Sequence, residues 1–513
     1  MRGIYTNVND IRKRVFAEVA KLSYEYEDGF NMEVMHQLPY HIIPGTVATY
    51  RDSAFLERAI VRERARLAMG LPLRSFEEYN SITKGVEECT KPETYYEPPL
   101  VNIIKFACHK CPDNVMKVTD ACQGCLAHPC KEVCPRDAIR IYEGKSHIDP
   151  EKCIKCGKCK DACAYGAILK MDRPCVKSCG MKAIGSDENG CADIDYDKCV
   201  SCGQCLANCP FGAIADKAQI FQTIQAIKSD VPVYAAIAPA AAGQFGPDMT
   251  PQKIRSGFKA LGFEDVVEVA IGADLCTISE AEAFVKEVPD EIPFMATSCC
   301  PAWSMMAKKL FPEQAKCISM ALTPMVLTGR LIKKDHPGCK VAFIGPCSAK
   351  KLEAMRKSIR SDVDFVLTFE EVMGMFEAKE VDFKKLEPDH SMHGASADGR
   401  GFAIGGGVAN AVSEYLKENY PDVELKVEKA DGLENCRRLL TLAKAGKYNG
   451  YLLEGMGCPG GCVAGAGTIQ PIASTARAIQ SHQAQSSMKH ASTSEYADIL
   501  DHLEEKDIVV PQE

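Results

Sequence analysis

The chain has 513 residues, of which 25% are charged and 46% are hydrophobic, and its formal net charge is −8. This composition predicts a globular protein of two to four domains, and the acidic balance is against nonspecific binding of nucleic acid. No apolar run reaches the roughly 18 residues that a membrane span needs, and the N-terminal sequence lacks the apolar core of a signal peptide. We therefore expect a cytoplasmic protein with no membrane contact.

Residues 1–100 are predicted to form a helical N-terminal cover region. Apolar residues follow helical spacing from Asp10 to about Tyr26 and again over Ala54–Leu71. No catalytic motif occurs in these residues, which favours a structural cover or a partner surface. The pair Pro98-Pro99 marks the boundary with the next region.

Residues 101–215 lie in the part of the chain where cysteine is concentrated. Of 27 cysteines in the chain, 18 fall between Cys89 and Cys209. A disulfide scaffold is one explanation, but such scaffolds are short and secreted, whereas cysteines this dense in a reducing cytosol are typical of metal ligands.

Two stretches, Cys153–Cys163 and Cys199–Cys209, match the bacterial ferredoxin signature, in which three closely spaced thiolates bind one [4Fe-4S] cluster and a fourth binds its partner. Cys122–Cys134 is the same signature with two extra residues. Zinc does not account for the third closely spaced cysteine or for the fourfold repeat of Cys-x3-Cys-x3-Ala-Ile. A ferredoxin-like domain with several [4Fe-4S] clusters is predicted.

Because the fourth cysteine of each motif binds the partner cluster, the motifs assign ligands to three clusters. Four cysteines then remain for a fourth cluster; alternatively, Cys108 and Cys111 form a zinc site or are free thiols. The predicted sets are Cys122, Cys125, Cys130 and Cys163; Cys153, Cys156, Cys159 and Cys134; Cys199, Cys202, Cys205 and Cys179; and Cys108, Cys111, Cys175 and Cys209.

A cluster array of this kind predicts one-electron transfer to a distant site. From Cys130 to Lys182 the chain has 12 basic and 7 acidic residues, a local charge of +5. Compensation of the clusters' own negative charge explains this at least as well as docking does. If the surface docks a partner, an acidic ferredoxin is expected, and its association should weaken with salt.

Residues 216–468 have an α/β pattern, with a helical stretch at Lys217–Lys228 and strand-like runs at Val231–Ala238, Val266–Ile271 and Lys340–Ile344. Residues 469–513 form a tail with one amphipathic helix. Three compact motifs in this region contain cysteine: Thr297-Ser298-Cys299-Cys300-Pro301, Gly345-Pro346-Cys347-Ser348-Ala349-Lys350, and Glu454-Gly455-Met456-Gly457-Cys458-Pro459-Gly460-Gly461-Cys462. Cys300, Cys347, Cys458 and Cys462 thus offer four thiolates from three loops, as a buried cluster requires, and the glycines let the backbone approach it.

Together these motifs resemble the three signatures of the [FeFe]-hydrogenase family, over about residues 230–470 and the ferredoxin-like arm. The resemblance implies an α/β and α+β multidomain protein with a helical N-terminal segment, a tandem ferredoxin-like domain and a two-lobed α/β catalytic domain. It also implies reversible reduction of protons to H2 at an H-cluster. In that cofactor, Cys300, Cys347, Cys458 and Cys462 hold a [4Fe-4S] cube, and Cys462 bridges to a two-iron subsite with CO, cyanide and azadithiolate. A dedicated maturation machinery for this subsite is implied as well.

By the same resemblance Lys350 binds a cyanide, Met456 packs against the subsite, and Cys299 passes protons to it. Glu280 and Ser319 match the next members of the proton relay; a surface carboxylate and a satisfied buried hydroxyl are their alternatives. The chemistry suits these groups, because protons cross a dry cavity in short hops between thiol, carboxyl and hydroxyl groups.

The sequence departs from the family pattern at several positions. Gly345 replaces a usual methionine, Ala302 replaces a usual glycine, and Ala283 stands where an acidic residue is expected, with Glu282 beside it. These departures indicate a divergent branch and put the outer proton path in question.

Other functions remain as alternatives to the enzyme. A hydrogen sensor tends to lose the relay cysteine and to carry added sensor domains, but this chain keeps Cys299. The iron–sulfur assembly factor that shares the fold lacks the two-iron subsite, and Cys299, Lys350 and Met456 count against it. A simple polyferredoxin would not need the second half of the chain.

Overall fold

The computed structural model describes residues 3–504 except 28–31, 76, 78, 92, 94–95, 390–391 and 393. The N-terminal region is helical, as predicted. Its helices are α1 (Asn7–Glu25), α2 (Met32–Ile42), α3 (Ala54–Ala68) and α4 (Val86–Cys89).

The helix α1 begins where Thr6 caps it, since the Thr6 hydroxyl accepts a hydrogen bond from Asn9 N. Its buried face continues into the largest hydrophobic core of the protein, so the N-terminal region packs on residues 216–468, which we call the catalytic region after the predicted catalytic domain. Phe16 of α1 shows how close this contact is. A side chain at Gly374 would collide with the Cβ and the backbone of Phe16. The structure adds α2 and the short α4 to the two helices that the sequence predicts.

The cysteine-rich region consists of short elements. They are β1 (Val101–Ile103), β2 (Val115–Val118), α5 (Pro129–Glu132), β3 (Ile139–Tyr142), β4 (Lys145–Ile148), α6 (Lys158–Asp161), β5 (Ile168–Met171), α7 (Pro174–Lys177), β6 (Ile184–Ser186), β7 (Ala192–Ile194), α8 (Gln204–Asn208) and β8 (Ile214–Asp216).

The antiparallel pairing of these strands shows two ferredoxin-like units, one inserted into the other. In the first unit β2 pairs with β5 and β3 pairs with β4; in the second β1 pairs with β8 and β6 pairs with β7. We call residues 112–172 the outer unit, and residues 101–111 with 173–216 the inner unit. The inner unit contacts the catalytic region directly: Lys309 Nζ donates a hydrogen bond of 2.8 Å to the Cys199 carbonyl.

The catalytic region and the tail contain the remaining elements. They are α9 (Ile220–Lys228), β9 (Val233–Ile237), α10 (Pro251–Leu261), β10 (Asp265–Glu268), α11 (Val269–Glu287), β11 (Met295–Ala296), α12 (Pro301–Leu310), α13 (Pro324–Asp335), β12 (Lys340–Gly345), α14 (Ser348–Ala354), β13 (Phe365–Thr368), α15 (Phe369–Ala378), α16 (Ala397–Gly401), α17 (Gly407–Asn419), β14 (Lys426–Asp431), α18 (Leu433–Lys444), β15 (Tyr451–Met456), α19 (Ile472–Ala484) and α20 (Leu500–Glu504).

Two parallel sheets form the two lobes of this region. One has the strand order β10-β9-β12-β13 and the other β11-β15-β14, and helices connect the strands, so the fold is α/β as predicted. The strand expected over Val266–Ile271 ends at Glu268, where α11 begins; an apolar run alone does not tell a buried strand from a buried helix. The predicted tail helix is α19, and residues 505–513 lie outside the described residues.

Candidate active site

The candidate active site is a cavity at the carboxyl ends of strands from both sheets. Each cysteine motif directly follows a strand: Cys300 comes after β11, Cys347 after β12 and Cys458 after β15. Loops at the carboxyl ends of parallel strands are where α/β folds bind ligands. The folding of two sheets side by side therefore brings three distant motifs together.

Four cysteines line this cavity, and they are the four that the sequence singles out: Cys300, Cys347, Cys458 and Cys462. Burial, with a further contribution from the neighbouring Cys300, raises the pKa of the Cys347 thiol to about 11. Burial also raises the pKa of Cys458 well above its usual value, with Cys347, Cys300 and Cys462 adding to the effect. The four sulfurs thus share one buried environment, which disfavours four free thiolates unless a cationic metal group balances them.

Two amide groups point at these sulfurs. Gly457 N lies 3.3 Å from Cys300 Sγ, and Gln204 Nε2 lies 3.1 Å from Cys458 Sγ while also donating to the Ala464 carbonyl at 3.0 Å. Amide donors to sulfur are the contacts that support iron–sulfur clusters. The sequence suggested backbone donors near Cys458 but missed Gln204, which comes from the inner unit.

Glycine is required where the loop of the third motif crowds other backbone. Gly461 has a φ of +97°, and a Cβ there would lie 2.6 Å from Gly405 N. Any larger residue would push this loop, and Cys462 with it, out of position.

Lys350 also lines the cavity, and its side chain is buried. Its ammonium forms a buried ion pair with Glu353, whose Oε2 lies 2.7 Å from Lys350 Nζ. Burial lowers the pKa of Lys350, but Glu353 outweighs that effect and the pKa is raised overall. Lys350 is thus a buried, paired cation that lines the cavity. Met456 lines the same cavity.

Cys299 faces the cavity, and Glu280 lies behind it on α11. Glu280 Oε1 accepts hydrogen bonds from Ser298 N (2.7 Å) and Ser298 Oγ (3.0 Å), while Glu280 Oε2 is buried without a hydrogen-bond partner among the described residues. Burial raises the pKa of Glu280 to about 7, and the pKa of Cys299 is raised well above its usual value by burial and then by Glu280. Glu280 is therefore buried, not on the helix surface.

The outer part of the predicted relay is less continuous. Ser319 is buried, but its Oγ accepts a hydrogen bond from Ala321 N at 3.1 Å, and it is not among the residues that line the cavity. Glu282, next to the position of the missing acid, accepts a hydrogen bond of 3.2 Å from the Tyr415 hydroxyl. The structure shows no direct hydrogen bond from Glu280 to either residue among those it describes.

Gly345, one of the departures from the family pattern, has a local explanation. A Cβ at this position would collide with the ring of Phe343, which itself lines the cavity. Phe343 therefore fills space beside Gly345 that a larger residue at 345 would need.

The nested fold brings together the cysteines of the fourth predicted cluster. Cys108 and Cys111 follow β1, just as Cys122 and Cys125 follow β2 in the outer unit, so the insertion separates them from the rest of their own unit. Burial, together with the neighbouring Cys209 and Cys108, raises the pKa of Cys175 to about 11. Burial, Cys209 and Cys108 also raise the pKa of Cys111.

The other accessory cysteines also group within their units. Cys202, Cys199 and Cys179 add to the effect of burial in raising the pKa of Cys205. In the outer unit the buried Cys130 and Cys159 pack in one cluster with Cys134, Cys153 and Cys163, and Ser146 N donates to Cys122 Sγ at 3.5 Å.

Among the residues that the structure describes, no three His, Cys, Asp or Glu side chains group closely enough to hold a single metal ion.

The comparisons with known proteins identify the family. Residues 231–466 match the family described as the iron only hydrogenase large subunit, C-terminal domain, while residues 145–168 match a 4Fe-4S binding domain and residues 169–220 an Fe-S cluster-binding domain. The chain belongs to the iron-only, or [FeFe], hydrogenase family.

Among particular relatives, iron hydrogenase 1 of Clostridium pasteurianum is 30% identical over 395 residues, which cover 66% of this chain and 68% of the relative. The periplasmic [Fe] hydrogenase large subunit of Nitratidesulfovibrio vulgaris is 29% identical over 269 residues (44% and 63%). A probable cytosolic Fe-S cluster assembly factor of Aedes aegypti is 28% identical over 278 residues (44% and 58%). A solved [FeFe]-hydrogenase structure matches with a TM-score of 0.45 and 20% identity, over 55% of this chain and 93% of that one.

No helix within the described residues has both the length and the apolar character to cross a membrane.

Proposed function

We propose that this protein is a hydrogenase that combines two protons and two electrons into H2, or carries out the reverse reaction, at an H-cluster bound in the candidate active site. The observation that carries the proposal is that Cys299 and the buried ammonium of Lys350 line the same cavity as the four predicted cube ligands. A cavity built for a [4Fe-4S] cluster alone needs neither group.

The residues present fit the cofactor. Cys300, Cys347, Cys458 and Cys462 would hold its cube, with Gly457 N and Gln204 Nε2 as donors to two of the sulfurs. Lys350 offers N–H groups to an anionic or polar ligand such as cyanide, and the apolar wall that includes Met456 and Phe343 excludes water. When bound, the H-cluster would supply the metal at which the H–H bond forms or breaks.

The protein's own part in the chemistry is to deliver protons and electrons. Burial keeps the Cys299 thiol protonated, so that it can donate a proton into the cavity. The resulting thiolate must then accept a new proton from the side away from the cavity. Glu280 suits that second step, because a carboxyl with a pKa of about 7 can give up and regain a proton near neutral pH. Its Oε1 is fixed by Ser298, which leaves Oε2 for the transfer.

Electrons would reach the cavity through accessory [4Fe-4S] clusters. The set Cys199, Cys202, Cys205 and Cys179 is the nearest to the cavity, because Cys202 itself lines it. We propose four accessory clusters, since the nested fold returns Cys108 and Cys111 to Cys175 and Cys209. A ferredoxin is the proposed electron carrier.

The test is infrared spectroscopy of the protein after maturation of its two-iron subsite. Bands of metal-bound CO and cyanide, together with H2 evolution from reduced viologen, are expected. A protein with a full iron content but neither bands nor H2 would instead favour the assembly-factor function of relatives such as the Aedes protein.

A Cys299→Ala variant tests the proton donor separately. It should keep the infrared bands and lose turnover, by at least the roughly 100-fold that removal of a general acid or base typically costs. Cys339→Ala, at a buried cysteine outside the cavity lining, is the matched control. Full activity of Cys299→Ala would contradict the relay.

A further inference from the structure

The two ferredoxin-like units carry the same motif in opposite surroundings. The outer stretch Cys153–Cys163 and the inner stretch Cys199–Cys209 have identical cysteine spacing, so Cys156 corresponds to Cys202 and Lys158 corresponds to Gln204. Both loops lead into a short helix through a glycine with a positive φ, Gly157 (+84°) and Gly203 (+73°).

In the inner unit this loop packs against the catalytic region, beside the candidate active site. Cys202 lines the catalytic cavity, and Gln204 donates a hydrogen bond to Cys458. A Cβ on Gly203 would lie 2.5 Å from the Cβ of Ala466, which shows how closely the loop packs on the catalytic region.

In the outer unit the corresponding face is open. Cys156 is the one exposed cysteine in the chain, all of whose cysteines the structure describes. A Cβ on Gly157 would meet no atom within 4 Å, and the neighbouring Ile154 is 54% exposed. The loop that faces a protein surface in one unit thus faces solvent in the other.

Four exposed lysines are sequence neighbours of the predicted ligands in this loop. We call Lys152, Lys155, Lys158 and Lys160 the lysine collar. Each is adjacent in sequence to a predicted cluster ligand, so its Cα lies about 3.8 Å from that of a ligand. All four are exposed, and none forms an ion pair with any carboxylate that the structure describes.

The lysine collar is not a requirement of the cluster itself. The corresponding inner residues are Lys198, Ser201, Gln204 and Leu206, so only one of the four is cationic. That one, Lys198, forms an ion pair of 2.6 Å with Asp195, whereas Lys152 forms none with the corresponding Asp149 among the described contacts. Since both motifs would bind the same type of cluster, compensation of cluster charge does not explain the difference between them.

We propose that the face formed by Ile154, Cys156 and the lysine collar is the docking site of an acidic one-electron carrier protein. The proposal rests on the proposed function and deepens it by locating where electrons enter. Four unpaired cations steer an acidic partner, and the exposed Ile154 supplies apolar contact beside the ligand loop. In each encounter the reduced carrier loses one electron and this protein gains one, so two encounters supply one H2.

The test is the affinity of the cluster-loaded protein for an oxidised acidic ferredoxin, measured by calorimetry at low and high salt. Lys155→Glu combined with Lys158→Glu should weaken binding about tenfold at low salt and flatten its salt dependence. The control combines Lys334→Glu with Lys426→Glu, two exposed lysines of the catalytic region that form no ion pair among the described residues. This control should bind as the wild type does.

Equal affinity of the lysine-collar variant and the wild type would overturn the docking site, as would an equal loss in the control. Binding needs no turnover, so the outcome is separate from the proposed function. A wild type that makes no H2 from viologen would contradict the hydrogenase, while a tenfold loss of ferredoxin affinity in the same preparation would still support the docking site.

Discussion

The inner and outer ferredoxin-like units hold the same ligand pattern, yet one packs on the catalytic region and the other meets solvent. The difference lies in the residues between the ligands: Ser201, Gln204 and Leu206 in the inner unit, and three lysines in the outer unit. The cysteines define what each unit binds, whereas the intervening residues define what each unit contacts. Repeats that look equivalent by their ligands therefore differ in role.

The strongest way to break this comparison is to remove one ligand from each unit. Cys202→Ser should lower viologen-driven H2 evolution by more than the roughly 10- to 100-fold that loss of a supporting contact at a metal site costs, because Cys202 lines the cavity. Cys156→Ser should affect this assay less, since the inner unit stays intact. Iron content per chain would show that each variant loses one cluster, and equal losses of activity would contradict the order of the units.

A second comparison exchanges the residues that differ between the units. Gln204→Lys would bury an ammonium at a site only 6% exposed and should lower the free energy of unfolding by roughly 4 kcal/mol. Lys158→Gln changes an exposed side chain and should stay within about 0.5 kcal/mol. Anaerobic denaturant unfolding of both variants measures the difference; similar midpoints would mean that the inner face is not packed as described.

Burial also changes the properties of Glu280, which lies behind Cys299 in the candidate active site beside the inner unit. Its pKa is raised to about 7 in the folded protein against a usual value of 4.5, so the folded state binds the proton more tightly than the unfolded state. Its contribution to stability is present below pH 4.5 and falls as the pH rises towards 7, by on the order of 3 kcal/mol.

Glu280→Gln removes this dependence while keeping a buried polar side chain. The difference in unfolding free energy between wild type and variant should shift in favour of the variant as the pH rises from 4.5 to 7, and an infrared band of the protonated carboxyl should titrate in the wild type alone. A difference that stays constant across this range would place Glu280 in a solvated environment.

The smallest expected effect comes from the two loop glycines. Both Gly157→Ala and Gly203→Ala place a side chain at positive φ, at a cost of roughly 1–2 kcal/mol. Gly203→Ala should cost about 1–3 kcal/mol more, because its Cβ meets Ala466 whereas that of Gly157 meets nothing. Thermal unfolding of the pair measures the excess, and identical costs would contradict the close packing at Gly203.

Much of the architecture follows from local sequence patterns. The ferredoxin motifs are local, because three ligands lie within seven residues, and the α/β pattern follows from apolar runs. The nested arrangement was not predicted: β1 and β8 have three residues each and pair across the whole inserted unit, which no local pattern reveals. For the same reason Cys108-x2-Cys111 was assigned to the fourth cluster only by elimination.

The cavity cysteines were predictable because each stands in a compact motif after a strand. The partners of Cys458, Lys350 and Glu280 were not predictable. They are Gln204, Glu353 and Ser298, polar residues of common types that matter only through tertiary proximity. Gln204 lies between two ligands of its own unit, and no sequence signal indicates that it reaches a cysteine of another region.

The insertion of one ferredoxin-like unit into another also has a consequence for assembly. During synthesis the strand β1 emerges first but must wait for β8, while every strand of the outer unit is complete beforehand. Pairing of distant segments is slow, so the outer unit should fold and acquire its metal first, and the site of Cys108 and Cys209 should be the last accessory site to close. Chains truncated after Met171 would then retain iron in the outer unit alone. If such chains bind no iron, the outer unit needs the complete inner unit around it in order to fold.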